Sequence, residues 1–240
     1  MTLKFSASAI SKYLFFIALL LVSLHTASHL LISQSTNQIT EVLIEKFSLE
    51  GEGNFPSYFS AFILLLAAVQ FSVISRGTRL QKNTSWRYWT GLSFIFVFLS
   101  LDEAVQLHEK LDTDLIWASV ETSGLLAWPW VVLYGSLATI VAAIYFRFWL
   151  RFSTRFRIAF AMAAFVYVFS ALGFEMLEAL EYTTNGGATL KFILLTSTEE
   201  ICEIGAILYL IKTNFAYLAE KLPDLSISFA PASHLKVNQG

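Results

Sequence analysis

The chain of 240 residues has one cysteine, Cys202, and four histidines. A single thiol excludes a disulfide framework within the chain and any zinc motif built from several cysteines. Charge is scarce as well: charged side chains make up 14% of the residues against 56% hydrophobic ones, which excludes a water-soluble domain of this length. Lysine and arginine are missing from the interiors of the long apolar runs, so any acid buried there lacks a basic partner of its own span.

What is present is apolar sequence in long blocks. Runs of the roughly 20 residues needed to cross a hydrocarbon core occur at 13–33, 57–75, 88–108, 124–147, 157–178 and 190–211. They predict an all-α polytopic membrane protein, a bundle of six transmembrane helices. The first run also has features of a secretory signal, with Lys4 and Lys12 before it and the small residues Thr26, Ala27 and Ser28 within it. Apolar sequence continues through Leu30, Leu31 and Ile32, so the expectation is a retained helix.

The basic residues orient the bundle. Thirteen of the sixteen lie before the first run, between runs two and three, between runs four and five, or after run six. By the positive-inside rule these segments are cytoplasmic, with both termini inside and the loops 34–56, 109–123 and 181–189 outside. The expected location is a bacterial cytoplasmic (inner) membrane. The expected organisation is a cytoplasmic segment 1–12, a transmembrane domain 13–221 and a flexible tail 222–240. Trp86, Trp89 and Trp149 fall at inner ends and Trp117, Trp128 and Trp130 at outer ends, as interfacial belts would. In the first outer loop, Ile39, Val42, Leu43 and Phe47 share one face of segment 37–49, which predicts a short surface helix. Gly51 to Pro56 breaks it, and Asn185-Gly186-Gly187 marks a turn before the last span.

The acids are the unusual feature. In this topology only Glu220 and Asp224 of the 18 are cytoplasmic. Several others lie inside the spans, where each costs on the order of 2.5–3.5 kcal/mol to insert and therefore points to function. At about 100° per residue, Asp102, Glu103, Gln106 and Glu109 share a sector of span three, with His108 well outside it. Glu175 and Glu178 share a face of span five, as Thr196, Glu199, Glu200 and Glu203 do in span six. His25 and His29 form an i,i+4 pair in span one, able to hold one ion together. Glu181, Asp112 and Asp114 read as loop residues, and Cys202 as a packing residue.

So many carboxylates in a low-dielectric region need compensation by shared protons, water or a divalent cation. The candidate metal ligands are His25, His29, Asp102, Glu103, Glu109, Glu175, Glu178, Glu199, Glu200 and Glu203, a donor set suited to iron, zinc or manganese.

The segments EGNFPSYFS, FLSLDEAVQLHEKL and TSTEEICEIG resemble an uncharacterised group of bacterial six-span membrane proteins with an SLDE…HE motif and a later EE-x-x-E motif. That resemblance implies the six-span topology and no particular chemistry. The residue types Ser100, Asp102, His25, His29 and His108 also resemble those around zinc in membrane hydrolases of the alkaline ceramidase type, although their order and helix placement differ.

Three functions follow as expectations. The first is an outward-facing metalloenzyme, since carboxylates from several helices build di-iron and di-manganese sites, and a zinc centre would activate water. The second is a cation- or proton-coupled transporter, suggested by the echo of SLDEAVQL (100–107) in STEEICEI (197–204) within helices of opposite direction. The third is an accessory subunit of a membrane complex. The expected partners are the lipid bilayer and another membrane protein or a second copy, and nothing in the sequence points to nucleic acid.

Overall fold

The computed structural model describes residues 6–34, 37–51, 53–108, 123–186 and 189–223. Its helices are α1 (Ala7–Gln34), α2 (Gln38–Phe47), α3 (Phe55–Leu80), α4 (Trp86–Val105), α5 (Trp130–Trp149), α6 (Thr154–Phe169), α7 (Glu175–Asn185) and α8 (Leu190–Lys221). A short 3₁₀ turn, Gly124–Leu126, precedes α5, and one wide π-type turn, Ser170–Phe174, joins α6 to α7. Among the described residues there is no strand. Six segments are long and apolar enough to cross a membrane: α1, α3, α4, α5, the continuous stretch Thr154–Asn185, and α8.

The spans run longer or shorter than hydropathy suggests where polar residues are buried inside the bundle. α8 continues ten residues past 211 to Lys221 because its buried face extends through Ile207, Leu210, Ile211 and Asn214. Span three instead stops at Val105, three residues early, because Gln106 takes a left-handed conformation (φ 58°, ψ 48°).

α3 is the centre of the bundle, and small residues let α4 approach it closely. Ala67 and Ala68 are buried on α3, where Ser93 donates to Ala68 O (2.8 Å) and Ser100 to Ala61 O (2.7 Å). On its other side α3 meets α8 through polar groups that satisfy one another. Gln70 Nε2 donates to Ile211 O (3.2 Å), and Asn214 Nδ2 donates to Gln70 Oε1 (3.1 Å). Gln70 is thus part of helix packing.

One end of the bundle is sealed by aromatic rings. Trp89 is buried and lies 5.0–5.9 Å, centroid to centroid, from Phe71, Phe148, Phe152, Phe160 and Tyr217. The expectation of an interfacial Trp89 is therefore corrected, since its ring fills the junction of α4 with four other helices. Trp86 does sit at the surface end, with the guanidinium groups of Arg79 and Arg87 over its ring. Trp130, at the other end, is likewise buried, against His108 and Tyr134.

α5 stands apart from α4. Near the aromatic end the Tyr145 hydroxyl donates to Tyr88 O (3.0 Å), and near the opposite end Tyr134 reaches Asp102. Between these two ties a large cavity is left.

The expected surface helix forms as α2. Asn37 caps it by accepting from Ile39 N and Thr40 N, which satisfies amides that no helical carbonyl reaches. Asn54 does the same for α3 with Ser57, and its Nδ2 also donates to Ser48 O (2.7 Å) and Gly51 O (2.6 Å). One buried side chain therefore fixes both the start of α3 and the loop carrying Glu50. The turn at Gly186 (φ 82°) ends α7 as the glycine-rich sequence anticipates, while Gly187 lies outside the described residues.

Candidate metal centre

Acids from three helices and one loop converge at the end of the bundle away from Trp89. Asp102 and Glu103 end α4, Glu175 and Glu178 begin α7, Glu199, Glu200 and Glu203 lie on α8, and Glu50 comes from the loop between α2 and α3. All eight line one cavity of about 1260 Å³. Among its described lining residues there is no lysine or arginine.

Local structure explains each placement. On α8, Thr196, Glu199, Glu200, Glu203, Ile207 and Leu210 repeat at helical spacing, so one face passes from acidic to apolar along the cavity. On the fifth span the wide turn immediately precedes Glu175. Such turns add a residue to the helical repeat and re-aim the side chains that follow. Ser170 is buried in that turn and donates back to Val166 O (2.7 Å) and Tyr167 O (3.0 Å), relieving the carbonyls it loosens.

Glu175, Glu178 and Glu199 form one close group, each offering a carboxyl oxygen within 4.8 Å of the other two. Glu178 is only 2% exposed. One of its oxygens accepts from Thr196 Oγ1 (2.9 Å), while Oε1 is closed to solvent and has no hydrogen-bond donor. Oxygens bound to one ion at about 2.0–2.2 Å lie at most about 4.4 Å apart, so the spacing of this group is of the order an ion needs.

Glu203 extends the cluster, within electrostatic range of Glu200, Glu103 and Glu175. The polar faces of α4 and α8 therefore converge, as their separate helical periods suggested.

His25, His29 and Glu50 form a second group, again with one ligand atom each within 4.8 Å. Both nitrogens of His25 are already engaged. Leu49 N donates to Nδ1 (3.1 Å), so the proton sits on Nε2, which is 2.9 Å from Ser197 Oγ; Ser197 in turn donates to Ile193 O (2.7 Å). His25 thus ties α1 to α8 and to the Glu50 loop. His29 Nε2 lies 3.3 Å from Glu50 Oε1, and both atoms are closed to solvent without hydrogen-bond geometry. Burial, and after it the nearby charge of Glu178, pushes the Glu50 carboxyl up to about 7.

Asp102 anchors the third part. It is buried, and its Oδ1 accepts from His108 N (3.0 Å) and from the Tyr134 hydroxyl (3.0 Å), while its Oδ2 lies 3.2 Å from His108 Nδ1. The expectation that His108 points away assumes an unbroken helix. The left-handed Gln106 breaks it and brings the imidazole back onto Asp102.

Two further expectations change. Ser100 faces α3, not the cavity, so the zinc-hydrolase grouping of Ser100 with the histidines does not assemble. Glu181 is no loop residue: it is buried in α7 and accepts from Lys191 Nζ (2.7 Å), Thr189 Oγ1 (2.9 Å) and Asn185 Nδ2 (3.0 Å), clasping α7 to α8. Glu109, Asp112 and Asp114 lie outside the described residues.

Sequence reasoning missed Glu50 and Tyr134. Glu50 looks like any acid of a surface loop, and Tyr134 carries no charge to mark it.

Residues 13–218 match a family described as a domain of unknown function (DUF8692), to which the chain belongs. No curated protein and no solved structure matches the chain.

Proposed function

We propose that this member of the family is a metal-dependent membrane enzyme whose divalent cation is held by Glu175, Glu178 and Glu199, with Glu203 beside them. The observation that carries the reading is the buried Glu178 carboxyl, which finds a donor outside the cluster for only one of its oxygens and offers a ligand atom within 4.8 Å of those of Glu175 and Glu199. Isolated charges at such depth are expensive, and a cation with three acidic ligands offsets that cost. Oxygen ligands without imidazole or thiolate favour hard cations such as manganese, magnesium or calcium, and carboxylate-rich helical bundles also hold iron. The metal would act as a Lewis acid and lower the pKa of a bound water, while neighbouring carboxyls such as Glu200 or Glu103 stand ready to exchange protons.

The histidine group then has a positioning role. His25 fixes the loop that carries Glu50, and Glu50 lies next to the proposed ligand Glu178. A cation or proton carrier would need polar groups along the remainder of the path. The lining between Asp102 and Phe152 is aliphatic and aromatic, with tyrosine hydroxyls and the indole N–H groups of Trp89 and Trp149 its polar groups among the described residues and no ionisable acid or base, which favours an enzyme over a carrier.

Metal analysis of protein purified gently in detergent tests this reading. A near-stoichiometric divalent metal, manganese, iron, magnesium or calcium, is expected, lost in Glu178→Gln and Glu199→Gln and retained in His25→Gln and in the exposed control Glu45→Gln. Folded wild-type protein that is metal-free and whose thermal midpoint ignores added cations would sink it.

A further inference from the structure

The cavity is far larger than a metal centre needs. Clefts of about 300–1,000 Å³ enclose most small-molecule ligands, and this one measures about 1260 Å³. It has two chemically distinct halves. One half holds the eight carboxylates; the other runs along Leu92, Leu99, Val141 and Ala164 to a floor of Trp89 and Phe152.

Its side wall is open toward the membrane. Phe94 and Phe98 on α4 and Leu137 and Phe146 on α5 line the cavity and are also surface-exposed, at 70%, 43%, 46% and 55%. They flank the gap between the two helices, which hydrogen-bond to each other near its ends through Tyr134–Asp102 and Tyr145–Tyr88. In a bilayer such a slot faces hydrocarbon chains.

The polar end selects for positive charge. Its lining has eight carboxylates and no lysine or arginine among the described residues, with the His108 imidazole against Asp102, and Trp128, Trp130, Tyr134 and Tyr182 stand at the same end. Aromatic faces beside carboxylates are the surroundings that an ammonium group prefers.

We infer that the cavity takes a membrane lipid with an amine-bearing headgroup, its acyl chain entering sideways between α4 and α5 and its amine resting against the carboxylates. This rests on the proposed enzyme only in making that lipid its substrate; the binding itself stands on the shape and charge of the cavity. The chain lies along Val141 and Ala164, and the ammonium group meets the acids and tryptophans.

Photolabelling tests it. Wild-type protein in nanodiscs of phosphatidylethanolamine and phosphatidylglycerol is given a trace phospholipid with a diazirine in mid-chain, and adducts are mapped by mass spectrometry. Adducts are expected on cavity residues such as Leu99, Val141 and Ala164. They should fall at least fivefold in Val141→Trp, and unlabelled phosphatidylethanolamine should compete better than phosphatidylglycerol. Adducts confined to outward positions such as Ile140 and Ile144, which are exposed and do not line the cavity, overturn the proposal. Equal competition by the two lipids overturns the amine headgroup. Because the wild type gives this result, misfolding of Val141→Trp does not decide the matter. Metal content of the same samples separates the two readings: metal without cavity adducts sinks the lipid alone, and cavity adducts without metal sink the metalloenzyme alone.

Discussion

His108 holds Asp102 at both carboxyl oxygens, through its backbone N–H at 3.0 Å from Oδ1 and its ring Nδ1 at 3.2 Å from Oδ2. The two residues are six apart, and no α-helix could bring them together this way. The contact exists because Gln106 turns left-handed and ends α4 one residue earlier.

Gln106 is therefore a conformational hinge of the site. A β-branched residue resists φ near +58°, so Gln106→Val should cost about 1–2 kcal/mol, whereas Gln106→Gly should leave stability within about 1 kcal/mol of wild type. Reversible unfolding in mixed micelles measures both. Equal effects of valine and glycine would mean that the backbone turn is not under constraint.

The tie between α4 and α5 at the aromatic end depends on a missing side chain. A Cβ at Gly91 would overlap the Tyr145 hydroxyl, which donates to Tyr88 O. Gly91→Ala should destabilise by about 1–3 kcal/mol through this overlap. In the background of Tyr145→Phe the clash is gone, so the double-mutant cycle should show a coupling of about 0.5–3 kcal/mol. Additive effects would refute the contact.

Glu50 should make stability depend on pH. Its folded carboxyl, pushed up to about 7 chiefly by burial, holds its proton more tightly than in the unfolded chain, where a glutamate titrates at about 4.5. The folded state therefore binds the extra proton between these values, and stability contributed by Glu50 falls as pH rises through that window. Glu50→Gln keeps a neutral side chain throughout. Measured in chelator to remove metal, its thermal midpoint relative to wild type should rise from pH 5 to about 7 and then level off. A relative midpoint that is flat or falls over this range contradicts the assignment.

From the positive-inside pattern we propose that the carboxylate end faces outside. In a background lacking Cys202, a cysteine at Glu45 should react with a membrane-impermeant maleimide added to intact cells, and one at Thr154 should react only after lysis. Labelling of the Thr154 position from outside reverses the orientation.

How far the sequence reaches is clearest at particular residues. The six spans were legible because the bilayer demands about 20 apolar residues in a row, a one-dimensional requirement. The convergence of Asp102 and Glu103 with Glu199, Glu200 and Glu203 was also legible: helical periodicity puts each set on one face, and buried acids must turn away from lipid. The short helix α2 announced itself through its apolar face. What only the tertiary structure decided depends on breaks in regularity and on partners distant in sequence. The left-handed Gln106 recovers His108, and the wide turn at Ser170–Phe174 aims Glu175. Asn54 pins the loop that buries Glu50, making a surface-like acid part of the cluster. Trp89 passed for an interfacial anchor because hydropathy cannot tell a ring facing headgroups from one enclosed by five others. The cavity has no signature in the sequence at all, because it is the space left where α5 stands off from α4, a property of how helices pack and not of any one of them.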